Sequence, residues 1–241
     1  TYKKNMITIM EIMGRNAGWL TGATALSKSE DCEGPDLIYL PEIAFDVDDF
    51  LAKVKELLKK KSSIVIAVSE GIKLADGRYV CELGSVGDYV DAFGHKAALS
   101  GTARYLADLI KAHLGCKTRA VELSTLQRSA SHMASRVDID EAFMVGGAAV
   151  KAADEGDTGK MVVIDRVSDD PYMAATGIYD VHRIANEEKL VPREWMNKDA
   201  TNVTKDFVDY IKPLIQGDYQ PIMVNGMPRH LVLNLKKGRK R

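Results

Sequence analysis

The chain has 241 residues, enough for one large domain or two small ones, and 46% hydrophobic with 28% charged residues supports a sizeable core and excludes global disorder. Its 33 Lys and Arg against 34 Asp and Glu leave a net charge of −1, so no field over the whole chain favours nucleic acid or an anionic membrane. Cys32, Cys81 and Cys116 are odd in number and far apart, which predicts reduced thiols and a cytoplasmic setting rather than a disulfide framework. No apolar run reaches membrane-spanning length and no signal-peptide pattern opens the chain. A strand is expected within a few residues of Thr1, so the chain is expected to be the downstream part of something longer.

Strands and helices alternate along the sequence. Met6–Met13 predicts a buried strand and Asn16–Ser27 a glycine-containing helix. Leu37–Leu40 predicts a short strand ended by Pro41. Val47–Lys60 has the clearest helical spacing, with Asp46 as N-cap and Asp48 and Asp49 favourable in the first turn. Asp76-Gly77-Arg78 marks a turn. Ile64–Val68 is the continuous apolar run of a strand covered on both faces. A helix is expected over Gly101–Leu114, closed by Gly115, and a strand over Arg119–Leu123. Asp138 and Glu141 have capping-box spacing at the head of a helix reaching about Ala153. A polar loop at Asp154–Asp157, a buried strand at Met161–Ile164 and a late helix, Thr204–Ile215, kinked near Pro213, complete the chain. The order predicts an α/β fold with a doubly wound, mostly parallel, Rossmann-like sheet.

Three of these strands end in polar groups. Gly14-Arg15 follows the first, Ser69-Glu70-Gly71 follows Ile64–Val68, and Ser124-Thr125-Leu126-Gln127-Arg128-Ser129 follows Arg119–Leu123. Open parallel sheets bind ligands outside the carboxyl ends of their strands. A carboxylate beside arginines can accept from sugar hydroxyls while the arginines hold phosphate, so this edge suits a sugar phosphate. A helix starting at Ser129 would add free N–H groups. Taken singly, Arg15 is equally a surface residue, Glu70 a cap or a lysine partner, and Arg128 an ordinary helix-start arginine; the conjunction of three strand ends is what points to a site.

Other features point away from chemistry. His95, His113, His132, His182 and His230 have no metal-ligand spacing, and Gly146-Gly147 lies inside a helical pattern. Neither G-x-x-x-x-G-K-[ST] nor a strand-linked G-x-G-x-x-G occurs. The basic tail Lys236–Arg241 is read as a solvated terminus, and Trp19 and Trp195 as core or subunit-contact residues.

The run Met13-Gly14-Arg15-Asn16-Ala17-Gly18-Trp19 resembles the phosphofructokinase family, and the resemblance extends to Ser69-Glu70-Gly71, Thr118-Arg119-Ala120 and Leu126-Gln127-Arg128. Leu190-Val191-Pro192-Arg193-Glu194-Trp195 and Pro213-Leu214-Ile215-Gln216-Gly217 are similar to the bacterial pyrophosphate-using branch. The match runs in order over nearly the whole chain. It implies that Met13, Gly14 and Arg15 contact fructose 6-phosphate, with Arg15 near the phosphoryl group in transfer. It implies that Glu70 holds sugar hydroxyls, that Thr125 and Arg128 contact the 6-phosphate, and that Arg119 reaches the same phosphate across a subunit interface. Thr125 stands where relatives often carry histidine or tyrosine. Met6 stands where allosteric ATP-using members carry a further cross-subunit arginine, with Lys3 and Lys4 as loose substitutes.

The family's donor loop and catalytic aspartate precede the M-G-R strand and do not occur here. The resemblance therefore implies the carboxyl-terminal, sugar-phosphate half of a two-lobed 6-phosphofructokinase, inactive alone. Pyrophosphate is the expected donor and ATP the alternative, with Mg2+ bound through the absent half and a homo-oligomer, dimer or tetramer, as the assembly. Residues 1–128 are expected to form the fructose 6-phosphate lobe, 129–165 a helix and strand packing on the donor lobe, and 166–241 a segment returning to the first lobe. A non-catalytic sugar-phosphate-binding module is the rival reading; a general nucleotide-binding domain is a weaker one.

Overall fold

The structure, a computed structural model, describes residues 5–84 and 100–229; Lys3, Lys4, His95, His230 and the basic tail lie outside them. The expected doubly wound parallel sheet is present. Its strands are β1 (Met6–Ile12), β2 (Leu37–Tyr39), β3 (Ser63–Ser69) and β4 (Lys117–Glu122), all parallel, in the order β2-β3-β1-β4. Between them run α1 (Trp19–Ala23), α2 (Val47–Leu58) and α3 (Thr102–Leu114). One face of the sheet buries Ile7, Ile9, Ile64, Ile66 and Val68 against Phe50 and Val54 of α2 and Leu106 and Ile110 of α3. The other buries Ile38 and Ala67 against Phe207 and Ile211 of a late helix, α6 (Lys205–Ile211). Fully burying one such side chain contributes about 1.5–3 kcal/mol, so these two layers dominate the stability.

Local signals explain the helix ends. Asp46 accepts from the Asp49 amide (2.9 Å) and caps α2 as its spacing predicts. Gly115 closes α3 with φ 63°, a left-handed conformation that glycine adopts without strain. The predicted helix over Asn16–Ser27 is shorter: α1 starts only at Trp19 and tightens into a 3-10 turn at Thr24–Ser27. Residues 14–18 are pinned by neighbours instead. Ser69 donates to the Gly14 carbonyl, Gly18 N–H donates to Glu42, and a Cβ on Gly71 would lie 1.8 Å from the Arg15 carbonyl oxygen.

The second half departs further from expectation. After α4 (Thr125–Ser129) comes α5 (Arg136–Asp154), whose cap is Ser135, accepting from Asp138 N–H at 3.2 Å. Asp138 is thus already inside the first turn, and the capping box with Glu141 does not form; Glu141 accepts from Tyr172 instead. Ser135 also donates to the Leu214 carbonyl (2.6 Å), which ties the start of α5 to the chain after α6. The predicted strand Met161–Ile164 is not buried. It belongs to β5 (Lys160–Asp169), paired antiparallel with β6 (Tyr172–Asp180) in a half-exposed hairpin that crosses residue 165. The cause is partnership: β5 joins no large sheet and has α5 behind it, with Arg166 reaching the Tyr210 carbonyl of α6 (2.5 Å). In α5 only Ala152 is buried, while Phe143 is 84% exposed. A two-stranded ribbon, β7 (Met223–Val224) with β8 (Met227–Pro228), ends the described chain. The late helix is interrupted as expected, with Lys212–Ile215 in a 3-10 turn around Pro213.

One polar residue shares the core face of β1. Glu11 continues the row Ile7, Ile9 and is only 5% exposed. Its Oε2 accepts from Ala103 N–H at 2.8 Å, supplying α3 with the side-chain cap that Gly101 lacks. Burial, with the negative charges of Glu122 and Glu70 nearby, pushes its carboxyl up to about 7 against the lowering effect of the Ala103 amide.

Two expectations follow from this packing. Gly71→Ala should destabilise the chain by about 2–3 kcal/mol, because backbone rather than a flexible side chain occupies the Cβ position; urea unfolding measures it. For Glu11 the folded state holds the proton more tightly than the unfolded chain, so its stabilising contribution is complete below about pH 4.5 and is lost as pH rises through 7. Relative to Glu11→Gln, which does not titrate, the wild type should lose roughly 2–3 kcal/mol between pH 4.5 and 7.5. Equal pH dependence of the two proteins would contradict the assigned environment.

Candidate functional site

The register of the sheet brings the strand ends together. β1 lies between β3 and β4, with Ile12 opposite Ser69 and Glu11 opposite Glu122, so all three strands stop at one level. Glu70 N–H continues the ladder to the Ile12 carbonyl (3.0 Å), and Leu123 N–H reaches the Glu11 carbonyl (3.3 Å). The three polar groups beyond them are bonded to one another. Met13 N–H donates to Gln127 Oε1 (3.0 Å), and Gly14 N–H to Glu70 Oε1 (3.3 Å). The turn after β1 is therefore held by the turn after β3 on one side and by α4 on the other.

Gly14 is needed where it stands. A Cβ there would meet the Ala17 carbonyl oxygen at 2.9 Å and Ser69 Oγ at 3.3 Å. Arg15 follows directly, half-buried, with its carbonyl against Gly71. The Glu70 carbonyl accepts from Thr102 at the head of α3 (3.2 Å), so the backbone of this residue is anchored while its carboxylate faces the Gly14 amide. Thr125 and Arg128 are exposed on α4. Ser124 before them has φ 46°, a left-handed conformation that turns the chain sharply out of β4.

One expectation about this edge is corrected. No helix begins at Ser129; α4 ends there, and the amides of Leu126 and Gln127 near its start already bond the carbonyls of Leu123 and Ser124. Arg119, expected to act across a subunit interface rather than within its own chain, pairs with Thr8 in the middle of the edge strand β4 and is exposed there.

The structure adds residues that the sequence analysis did not single out for a role. Gln127 locks β1 to α4, and Thr102 and Glu11 link α3 to the site. Glu42, just beyond the end of β2, accepts from Gly18 N–H (2.8 Å) and Val191 N–H (2.9 Å) on a single oxygen. Its signal in sequence is a carboxylate after the Pro41 that stops a strand, a fourth polar strand end. Beside Arg128 an open cavity of about 1310 Å³ is lined by Gln127, His132, Trp19, Tyr210 and Lys189. Lys189 donates to the Tyr210 hydroxyl at 2.9 Å, so its charge is held at the rim. Among the described residues no group of three or more His, Cys, Asp or Glu is placed to hold a metal ion, and no helix is long and apolar enough to cross a membrane.

Arg15, Glu70, Thr125 and Arg128 thus follow three adjacent strand ends that are cross-bonded through the Met13 and Gly14 amides, and comparison with known proteins gives this geometry its context. The family model described as Phosphofructokinase matches residues 2–153. The pyrophosphate–fructose 6-phosphate 1-phosphotransferase of Halomonas elongata is 40% identical over 223 residues, which cover 92% of this chain and 52% of that protein. The enzyme of the same name from Methylococcus capsulatus is 40% identical over 227 residues, covering 94% and 53%. The crystal structure of a pyrophosphate-dependent phosphofructokinase from Nitrosospira multiformis aligns with a TM-score of 0.81 at 33% identity, over 95% of this chain and 53% of that one. The chain spans about half the length of the curated relatives it matches. The family model matches more than half of the chain and the fold aligns with a solved structure bearing the family's name, and the chain belongs to the phosphofructokinase family.

Proposed function

We propose that this chain is the sugar-phosphate half of a pyrophosphate-dependent 6-phosphofructokinase. The observation that carries the reading is the convergence of Met13-Gly14-Arg15, Glu70 and Gln127-Arg128 at three adjacent, in-register strand ends, cross-bonded through the Met13 and Gly14 amides. Glu70 accepts hydrogen bonds from hydroxyls of fructose 6-phosphate. Arg128, with Thr125, holds the 6-phosphate by charge-assisted hydrogen bonds. Met13 and Gly14 form the backbone against which the sugar lies. Arg15 faces the group in transfer, where its fixed fork of donors stabilises charge that develops on the phosphoryl oxygens.

The 1-hydroxyl oxygen of the sugar forms the new P–O bond while the bond to the leaving phosphate breaks. The hydroxyl proton passes to an aspartate held, like the donor, by residues outside this chain. Magnesium belongs with the donor in this reading, outside the residues of this chain. The exposed apolar side chains of α5, Phe143 and Val150 among them, suit a face that packs on the donor lobe. Arg119 on the open edge strand suits contact with a neighbouring subunit, and Cys32, Cys81 and Cys116, all free, suit a reducing cytoplasm. Pyrophosphate is preferred over ATP as donor because the 40% identical relatives carry that donor in their names.

Two substitutions in the full-length protein separate the roles. Arg128→Ala should raise KM for fructose 6-phosphate by roughly 10- to 150-fold, the loss of a charge-assisted bond of about 1.5–3 kcal/mol, with donor KM little changed. Arg15→Ala should lower kcat more than it raises KM. Steady-state kinetics at saturating donor reads both, and an unchanged sugar-phosphate dependence in folded Arg128→Ala would falsify the site. The same assay with pyrophosphate and ATP compared decides the donor. The 241-residue chain alone should bind fructose 6-phosphate in calorimetry and give no product.

A further inference from the structure

Resting on the role given to Arg15 above, we propose that Glu42 is a positioning residue for that arginine, and that it works by strapping the Arg15 turn to residues 188–191 near the other end of the chain. Residues 14–15 are gripped from the inside, by Ser69 on the Gly14 carbonyl and by Gly71 against the Arg15 carbonyl. The outer part of the turn, residues 16–19, has a different set of holders. Glu42 Oε1 takes Gly18 N–H at 2.8 Å and Val191 N–H at 2.9 Å, groups 173 positions apart in the sequence. Asn16 donates from its side-chain amide to Glu188, and Trp19 Nε1 donates to the Lys189 carbonyl at 2.6 Å. Asn16 and Trp19 thus reach residues 188–191 directly, and Gly18 reaches them through Glu42.

The chemistry of Glu42 favours a positioning role over generic packing. Both bonds are charge-assisted and share one oxygen, so the carboxylate orientation, the turn and the strap are fixed together. Its other oxygen is buried and has no hydrogen-bond partner. A bare buried carboxylate oxygen is costly, and the fold retains it at Gly18, in the turn that carries Arg15. Gly18 leaves no slack either, since a Cβ there would lie 2.8 Å from that oxygen and 2.9 Å from Leu40 Cβ. Behind the turn Trp19 stacks on Phe207 (5.6 Å) and meets Trp195 edge-on (6.0 Å), which seats the strap on the same helix that follows Arg15.

The test is a double-substitution cycle in the full-length protein. Glu42→Ala should lower kcat about 10- to 100-fold, the scale of a small misplacement of a group that acts on the transition state, with KM for fructose 6-phosphate changed far less. In an Arg15→Ala background the same substitution should lower kcat no more than about threefold, because the residue through which it acts is gone. Glu42→Gln keeps an acceptor oxygen in place and should restore kcat to within about fivefold of wild type. Equal losses in both backgrounds, or a loss confined to KM, would overturn the proposal. If Glu42→Ala does not fold, Glu188→Ala removes an exposed tie of the same strap; it should lower kcat about threefold with Arg15 present and not in its absence, and no effect in either background would overturn the proposal. An unchanged kcat in Arg15→Ala alone refutes the role of Arg15 itself and removes the basis for the strap, a result distinct from failure of Glu42 alone.

Discussion

The backbone between Met13 and Gly18 is the point on which the rest of the site depends. Five neighbours hold it: Gln127 and Glu70 on successive amides, Ser69 on a carbonyl, Gly71 in van der Waals contact, and Glu42 on the last amide. They come from three places: Ser69, Glu70 and Gly71 from the end of β3 and its following turn, Gln127 from α4, and Glu42 from the turn after β2. A parallel sheet makes this possible, because all its strands deliver their following turns to the same end. Central placement of β1 then gives its turn a neighbour on each side, and the polar groups of those neighbours replace the helix that local sequence would otherwise extend back to Asn16.

Much of the architecture was legible because it is encoded locally. Val47–Leu58 has its apolar face, its Asp46 cap and its acidic first turn within fourteen residues, and nothing distant contradicts them. The runs at Met6–Ile12 and Ser63–Ser69 are apolar because both faces of the sheet are covered. The strand-end groups were legible as a set for the same reason: once the sheet is parallel, its turns share an edge. What was not legible depended on pairing. Met161–Ile164 is as apolar as a core strand, yet it sits in a hairpin, and four residues cannot tell those cases apart. Tyr172–Asp180 mixes small, polar and aromatic residues and shows no apolar run to announce a strand. Ser135 took the helix cap that Asp138 seemed to offer because the chain after α6 also bonds it.

Among the site residues, types and positions were readable but connections were not. Glu70 and Arg128 are evident as charged groups after strands, whereas the reach of Gln127 to Met13 spans 114 positions and that of Glu42 to Val191 spans 149. Such links arise only when the turn geometry is known. They matter because a ligand-binding group is useful only if its backbone cannot drift, and the anchoring bonds fall on amides next to the residues that face the crevice.

The poor burial of α5 and the hairpin has a consequence for how the molecule opens. Residues 136–180 leave the core after α4, and residues 188–211 return to seat Val191, Met196, Phe207 and Ile211 in it. The excursion is thus a long insertion, tied to the returning chain by Ser135 on the Leu214 carbonyl and by Arg166 on the Tyr210 carbonyl. Closing such a loop depends only weakly on its length, about 0.6 kcal/mol for each doubling, so its length alone penalises the core very little. Amide protons of α5 and the hairpin should accordingly exchange by local opening ahead of those in β1 and β3, and a protease should find this region while the sheet remains closed.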